Sequence, residues 1–301
     1  MKKTLLLLTF FTVFALSAQE DIFSYNYRNV PAEEMDAFIE NEVVYWSGIH
    51  ALLVKKKQTT GWAMLKRYGG RASDPNIYFY MGFGSYENLD NLNNNWQVAE
   101  AEYRGSMDPE KLALIDKQLN IPKRIAGEAI FNRLTSVNLD GGMENWNYLV
   151  HNYKNADNKL NWVQLQDKYF KPFFEKQIKA KNTKQIYWNA AVVLNPTGDA
   201  YDWNAYTADA YTNLSDVFNP WNKVIPWPTI SDEDIKNLST IKNCYMSDEC
   251  SANPVCLLHT DVTTENKICK LKIPQNNLIN NQDNEIAYYT KIADELIKFI
   301  E

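Results

Sequence analysis

Glu42 and His50 stand eight residues apart in a stretch whose apolar residues, Met35, Phe38, Ile39, Val43, Trp46, Ile49 and Leu53, recur every three or four positions. Successive residues of a helix advance by about 100°. On that wheel Glu42 falls among Met35, Ile39, Trp46, Ile49 and Leu53, and His50 follows two turns later on the same broad face. A carboxylate in an apolar stripe is costly to bury unless it is paired, and burial raises its pKa toward the range useful to a general base. Glu42 and His50 are therefore a candidate proton-transfer pair, with Trp46 as a pocket wall. The plainer reading is that Glu42 pairs with a core Arg or Tyr or meets solvent, and that His50 is a satisfied core histidine.

A second constellation lies on two strands. "YNYRN" (Tyr25–Asn29) and "HNYKN" (His151–Asn155) stand 126 residues apart. Side chains alternate along a strand, so Tyr25 shares a face with Tyr27, and His151 with Tyr153. These four residues are candidates to line a ligand pocket, set against simple aromatic core packing. His151 replaces Tyr25 in the second stretch, which makes a haem ligand conceivable; otherwise the sequence points to no cofactor. Cys244, Cys250, Cys256 and Cys269 lie in the last sixty residues and read as two disulfides in an exported chain, with three pairings open. The metal alternative, zinc on Cys256, His259, Cys269 and another Cys, lacks a CxxC pair. The chain has no P-loop, GxSxG, HExxH or Rossmann glycine pattern.

The elements that must position these residues also come twice. "YENLDNLNNNW" (Tyr86–Trp96) matches "YTNLSDVFNPW" (Tyr211–Trp221) at an offset of 125, Trp62 and Trp188 stand 126 apart, and "MDPEKLALI" resembles "SDEDIKNLS" 124 residues on. Ordered anchors with so little drift indicate tandem duplication. In each copy an alternating aromatic strand precedes a long amphipathic helix, then a strand pair ("WAMLKRY" with "IYFYMGF", and "IYWNAAVVL" with "YDWNAYTADA"), then a further helix. "EAIFNRLTSVNL" supplies a fourth strand to the first copy. Pro172 predicts a kink in the second long helix, near Lys159–Lys181. An offset of 127 aligns the two long helices and places Tyr169 and Gln177 opposite Glu42 and His50.

The reading is α+β: a first ferredoxin-like β-α-β-β-α-β unit over residues 20–140, a second over 141–240, packed sheet to sheet, and a Cys-rich extension with a final amphipathic helix over 241–301. Over roughly residues 22–240, this element order resembles the dimeric α+β-barrel superfamily in a single-chain, duplicated form. The resemblance implies an architecture shared by cofactor-poor monooxygenases, haem-using enzymes, cyclases, isomerases and ligand-sensing domains. It selects none of them.

Residues 1–19 read as a cleavable signal peptide: Lys2 and Lys3, then the apolar run Thr4–Leu16, then small residues. The run is shorter than the roughly 20 residues of a membrane span, and no Cys stands at the cleavage region. The expectation is a periplasmic or secreted chain without a membrane span once mature. The full 301-residue chain has a formal net charge of −6, which disfavours nucleic acid and anionic membrane surfaces as partners. The sequence leaves the oligomeric state open. The favoured function is binding of a small, partly apolar ligand or a partner without turnover. The alternative is a cofactor-poor barrel enzyme, such as a monooxygenase, cyclase or isomerase, that uses Glu42 and His50 for proton transfer.

Overall fold

The computed structural model describes residues 21–68, 74–118, 124–139, 145–196, 201, 203–238 and 286–291. The first half runs β1 (Ile22–Arg28), α1 (Met35–Asn41), a π-helical turn (Glu42–Trp46), α2 (Ser47–Lys55), β2 (Gly61–Tyr68), β3 (Ile77–Gly82), α3 (Tyr86–Asp90), α4 (Leu92–Gly105), α5 (Pro109–Gln118) and β4 (Ile125–Asn138). The second runs β5 (Tyr148–Lys154), α6 (Lys159–Leu165), a π-helical turn (Gln166–Phe170), α7 (Lys171–Lys179), β6 (Tyr187–Asn195), β7 (Ala205–Tyr211), α8 (Leu214–Phe218), α9 (Asp232–Leu238) and β8 (Ile286–Lys291).

The strands pair antiparallel in the closed order β1-β3-β2-β8-β5-β7-β6-β4. Each half contributes four neighbours in the ferredoxin-like order, β4-β1-β3-β2 and β8-β5-β7-β6. The expected sheet-to-sheet contact is thus a closed barrel: β4 pairs with β6 and β2 with β8, which leaves no open sheet edge. β8 corrects the expected final helix. Within "NEIAYYTKIADELIKFIE", Ile286–Lys291 is a strand between β2 and β5. Its helical periodicity is real, but the edges of β2 and β5 give this segment a hydrogen-bonded ladder on both sides and close the barrel, and tertiary pairing overrides local propensity.

The barrel interior is aromatic. Phe23, Tyr25 and Tyr27 of β1 alternate inward and meet Tyr78, Phe131, Tyr187 and Tyr206. Phe131 stacks on Phe23 at 5.1 Å and meets Tyr206 edge-on at the same distance. Burying each such ring stabilises the fold by about 1.5–3 kcal/mol. The opposite faces of the strands pack under the helices: Met64, Ile77 and Phe79 against Phe38 and Val43 in one half, and Trp188, Ala190 and Val192 against Trp162, Phe173 and Phe174 in the other.

Local devices recur in both halves. The Asn76 side chain accepts from the Val30 N–H (2.9 Å) and donates to the Val30 carbonyl (2.7 Å); Asn204 does the same at Ala156 (2.8 Å each). Both helix pairs end on a lysine of positive φ, Lys57 (59°) and Lys181 (54°). Asn76→Ala and Asn204→Ala should each destabilise the protein by about 1–3 kcal/mol in urea unfolding, since each strands a backbone donor and acceptor. An effect in only one of them would show that the two brackets are not equivalent.

Two expected correspondences shift. The π turns align the long helices at an offset of 124, so Gln166 and Phe174, not Tyr169 and Gln177, stand opposite Glu42 and His50. The sequence offset failed because helical periodicity fits several registers almost equally well. Tyr86 opens α3 behind the Ser85 cap, whereas Tyr211 ends β7 and the cap of α8 is Asn213; the shared Tyr-x-Asn-Leu therefore spans different structure. Pro172 sits just after the second π turn, while Gly48 stands at that place in the first helix, so proline is not the common cause of the turn. Gly48 has its own reason: a Cβ there would lie 2.1 Å from the Tyr103 ring. The signal peptide, the four cysteines and His259 lie outside the described residues. Among the described residues no helix is long and apolar enough to cross a membrane, and no group of three metal-ligating side chains occurs.

Candidate functional site

A cavity of about 460 Å³ opens at the barrel end where β1, β2, β5 and β6 begin. That is within the usual range for small-molecule sites. Its walls include Tyr25, Tyr80, Trp146 and Tyr187, and its polar groups include Arg133, Asn189 and Asp21 at the mouth.

Arg133 reaches inward from β4, in phase with Ala129 and Phe131. The pairing of β4 with β6 shifts register between Arg133 and Thr135, an irregularity of the kind that re-aims a side chain. Its guanidinium lies 4.8 Å from the Phe23 ring centroid, donates from Nη1 to Asp21 Oδ2 (2.9 Å) and reaches the Tyr80 hydroxyl from Nη2 (3.3 Å). Its buried Nε has no partner among the described residues. Burial works against this charge and Asp21 works for it, so the group stays cationic. Asn189 is 3% exposed and donates from Nδ2 to the Tyr187 hydroxyl (3.0 Å), while its Oδ1 has no partner among the described residues. Burial pushes the Tyr187 phenol up to about 12 and raises Tyr25 well above its ordinary range, so both remain O–H groups at neutral pH.

The strand constellation gathers in this barrel. Tyr25 lines the cavity and lies 4.8 Å from the His151 ring. His151 is fully buried, lies 5.3 Å from Tyr206, and meets the Tyr153 hydroxyl at Nδ1 (3.1 Å). Tyr27 continues the row 6.5 Å beyond Tyr25, against Tyr78 and Tyr201. Burial holds His151 down at about 3, so its ring is neutral in the folded protein. Haem ligation requires an imidazole nitrogen open to a cavity. His151 is enclosed by Tyr25, Tyr153 and Tyr206 and does not line the cavity, so these residues do not fit a haem ligand.

The helix constellation lies outside the barrel wall. Glu42 is half-buried on the π turn, and its charge favours the cationic form of Arg28, which burial opposes. His50 is 5% exposed, stacked on Trp62 (4.8 Å) and edge-on to Trp96 (5.0 Å), and burial lowers it to about 3. Trp46 packs on Trp96 at 5.6 Å. Neither Glu42 nor His50 lines the cavity; Trp62, which covers His50, does.

On the outer face of β7, Asp209 accepts from Asn152 (2.7 Å) and Gln185 (2.6 Å). Burial raises its carboxyl to about 7, against the pull of those two donors.

Arg133, Asn189, Tyr80, Trp146 and Tyr187 were not singled out by motif or spacing. The signals were there in the strand phase: Arg133 alternates with Phe131 in "AIFNR", and Asn189 with Tyr187 and Ala191 in "YWNAA". An inward-pointing charge or amide in an otherwise apolar strand face marks an interior polar site.

No protein-family model matches the chain, and no curated protein matches it. Solved structures resemble it remotely. They include a provisionally assigned monooxygenase from Fusobacterium nucleatum (11% identity, 68% of this chain and 81% of that one, TM-score 0.39). An anthrone oxidase-like protein shares 10% identity over 72% of this chain and 82% of its own, with a TM-score of 0.37. A haem-binding protein from Thermus thermophilus shares 8% over 66% and 81%, with a TM-score of 0.34.

Proposed function

We propose that this chain is an exported binding protein that holds a small, partly apolar ligand in the barrel-end cavity without turnover. The observation that carries this reading is the cavity itself: aromatic walls around one deep cation and one buried amide. Large rings supply apolar contact, and a few polar groups fix orientation. Export is supported by the N-terminal charge and apolar run, and two disulfides of open pairing in the tail by its four cysteines. The matched Asn76 and Asn204 brackets, the Lys57 and Lys181 helix ends and the paired π turns support an origin by tandem duplication.

The alternative, a cofactor-poor enzyme working through Glu42 and His50, draws less support from the geometry, because those side chains sit behind the cavity wall. A thermal-shift screen of small aromatic and alicyclic compounds on the mature protein tests the two readings. A ligand at a hundred times its Kd should raise Tm by about 5 °C or more, and equally in Glu42→Gln. Loss of the shift in Glu42→Gln, or conversion of the compound, favours the enzyme.

A further inference from the structure

The cavity is unevenly supplied with hydrogen-bonding groups. Arg133, Tyr25, Tyr80, Tyr187 and Thr60 all bring N–H or O–H donors to it, against the Asp21 carboxylate at the mouth and the buried Asn189 Oδ1 as its carbonyl-type acceptors. Asp21 and Arg133 offset each other in formal charge but not in position. The Asp21 side chain is 34% exposed at the mouth, whereas Arg133 is 14% exposed and braced against Phe23. Water screens the outer charge more than the inner one, and at Tyr187, inside the cavity, the influence of Arg133 exceeds that of Asp21. Arg133 spends one nitrogen on Asp21 and one on a long contact to Tyr80, and a planar guanidinium with donors to spare suits a carboxylate. The surrounding Trp and Tyr faces suit a flat apolar body beside it.

Resting on the cavity as the ligand site, we infer that the ligand is a small ring-bearing carboxylic acid, with its carboxylate held by Arg133 and its ring between the aromatic walls. Arg133 then acts as the residue that selects acids over their neutral analogues.

The test compares 2-naphthoate with 2-naphthamide on the mature full-length protein, by calorimetry and tryptophan quenching. The acid should bind about 10- to 100-fold more tightly, the worth of a hydrogen bond to a charged group. Arg133→Gln should weaken the acid far more than the amide and so remove most of the difference between them. Asp21→Asn, which removes the competing carboxylate, should tighten the acid several-fold. Equal binding of acid and amide by the wild-type protein overturns the assignment of an acid while leaving the cavity as a site. Binding of neither probe at millimolar concentration overturns the site reading and the acid with it. Where Arg133→Gln does not fold, Asp21→Asn decides: unchanged or weaker binding of the acid overturns the proposal.

Discussion

Lowering the pH from 6.5 to 4 should cost the folded protein about 3 kcal/mol of stability. His50 and His151 each have an ordinary value of 6.5 and are held at about 3 by burial. Below 6.5 the unfolded chain takes up both protons and the folded protein takes neither. Their contribution is therefore present above 6.5 and is lost as pH falls toward 3. Asp209 works in the opposite direction. Its ordinary value of 3.8 is raised to about 7, so between those values the folded protein holds a proton that the unfolded chain releases. That contribution is present below 3.8 and is lost as pH rises through 7. Across the shared window the unfolded state carries a net excess of one proton, which gives a slope of about 1.4 kcal/mol per pH unit. Asp209→Asn removes the opposing group and should roughly double the slope. Urea unfolding at intervals between pH 4 and 7 measures both. A flat profile in the wild-type protein, or an unchanged slope in Asp209→Asn, would contradict the placement of these groups.

The histidines also show how far a single sequence carries. Strand alternation made it legible that His151 shares a face with Tyr153, as Tyr25 does with Tyr27, but not whether that face turns to the barrel interior or to the helices; barrel closure decides it, setting His151 against Tyr25. His50 was harder. Helical periodicity places it on a broad apolar face, but that face meets Trp62 and Trp96 outside the barrel, and periodicity says nothing of what covers a helix. β8 was misread for a related reason. Its role depends on edges of β2 and β5 that lie far away in the chain, and no local pattern reports a vacant edge. The site polar groups lie between these cases. Arg133 and Asn189 sit in phase with apolar neighbours on their strands, so their direction was readable, but their convergence needed the closure through β4 and β6. The likeness of β1 and β5 was legible from Tyr25–Asn29 and His151–Asn155. The brackets of Asn76 and Asn204 were not, because their partners lie 46 and 48 residues away.

The barrel-end cavity is the proposed binding site of this protein. Gly61 gives a direct way to close it. It lines the cavity on the strand face shared by Ala63 and Leu65, and a Cβ there would meet only the Tyr80 ring, at an ordinary 3.9 Å. The Cβ of Gly61→Phe therefore meets no clash, and its ring is directed to the cavity side of β2. The decisive measurement is a calorimetric titration of 2-naphthoate, or of the strongest compound from the thermal-shift screen, into the wild-type protein and into Gly61→Phe. The expected result is a loss of affinity of about 100-fold or more in the variant, on the order of the contact a filled pocket forfeits, with its urea midpoint close to the wild-type value. Undiminished binding by a folded Gly61→Phe would place the ligand elsewhere and contradict the account.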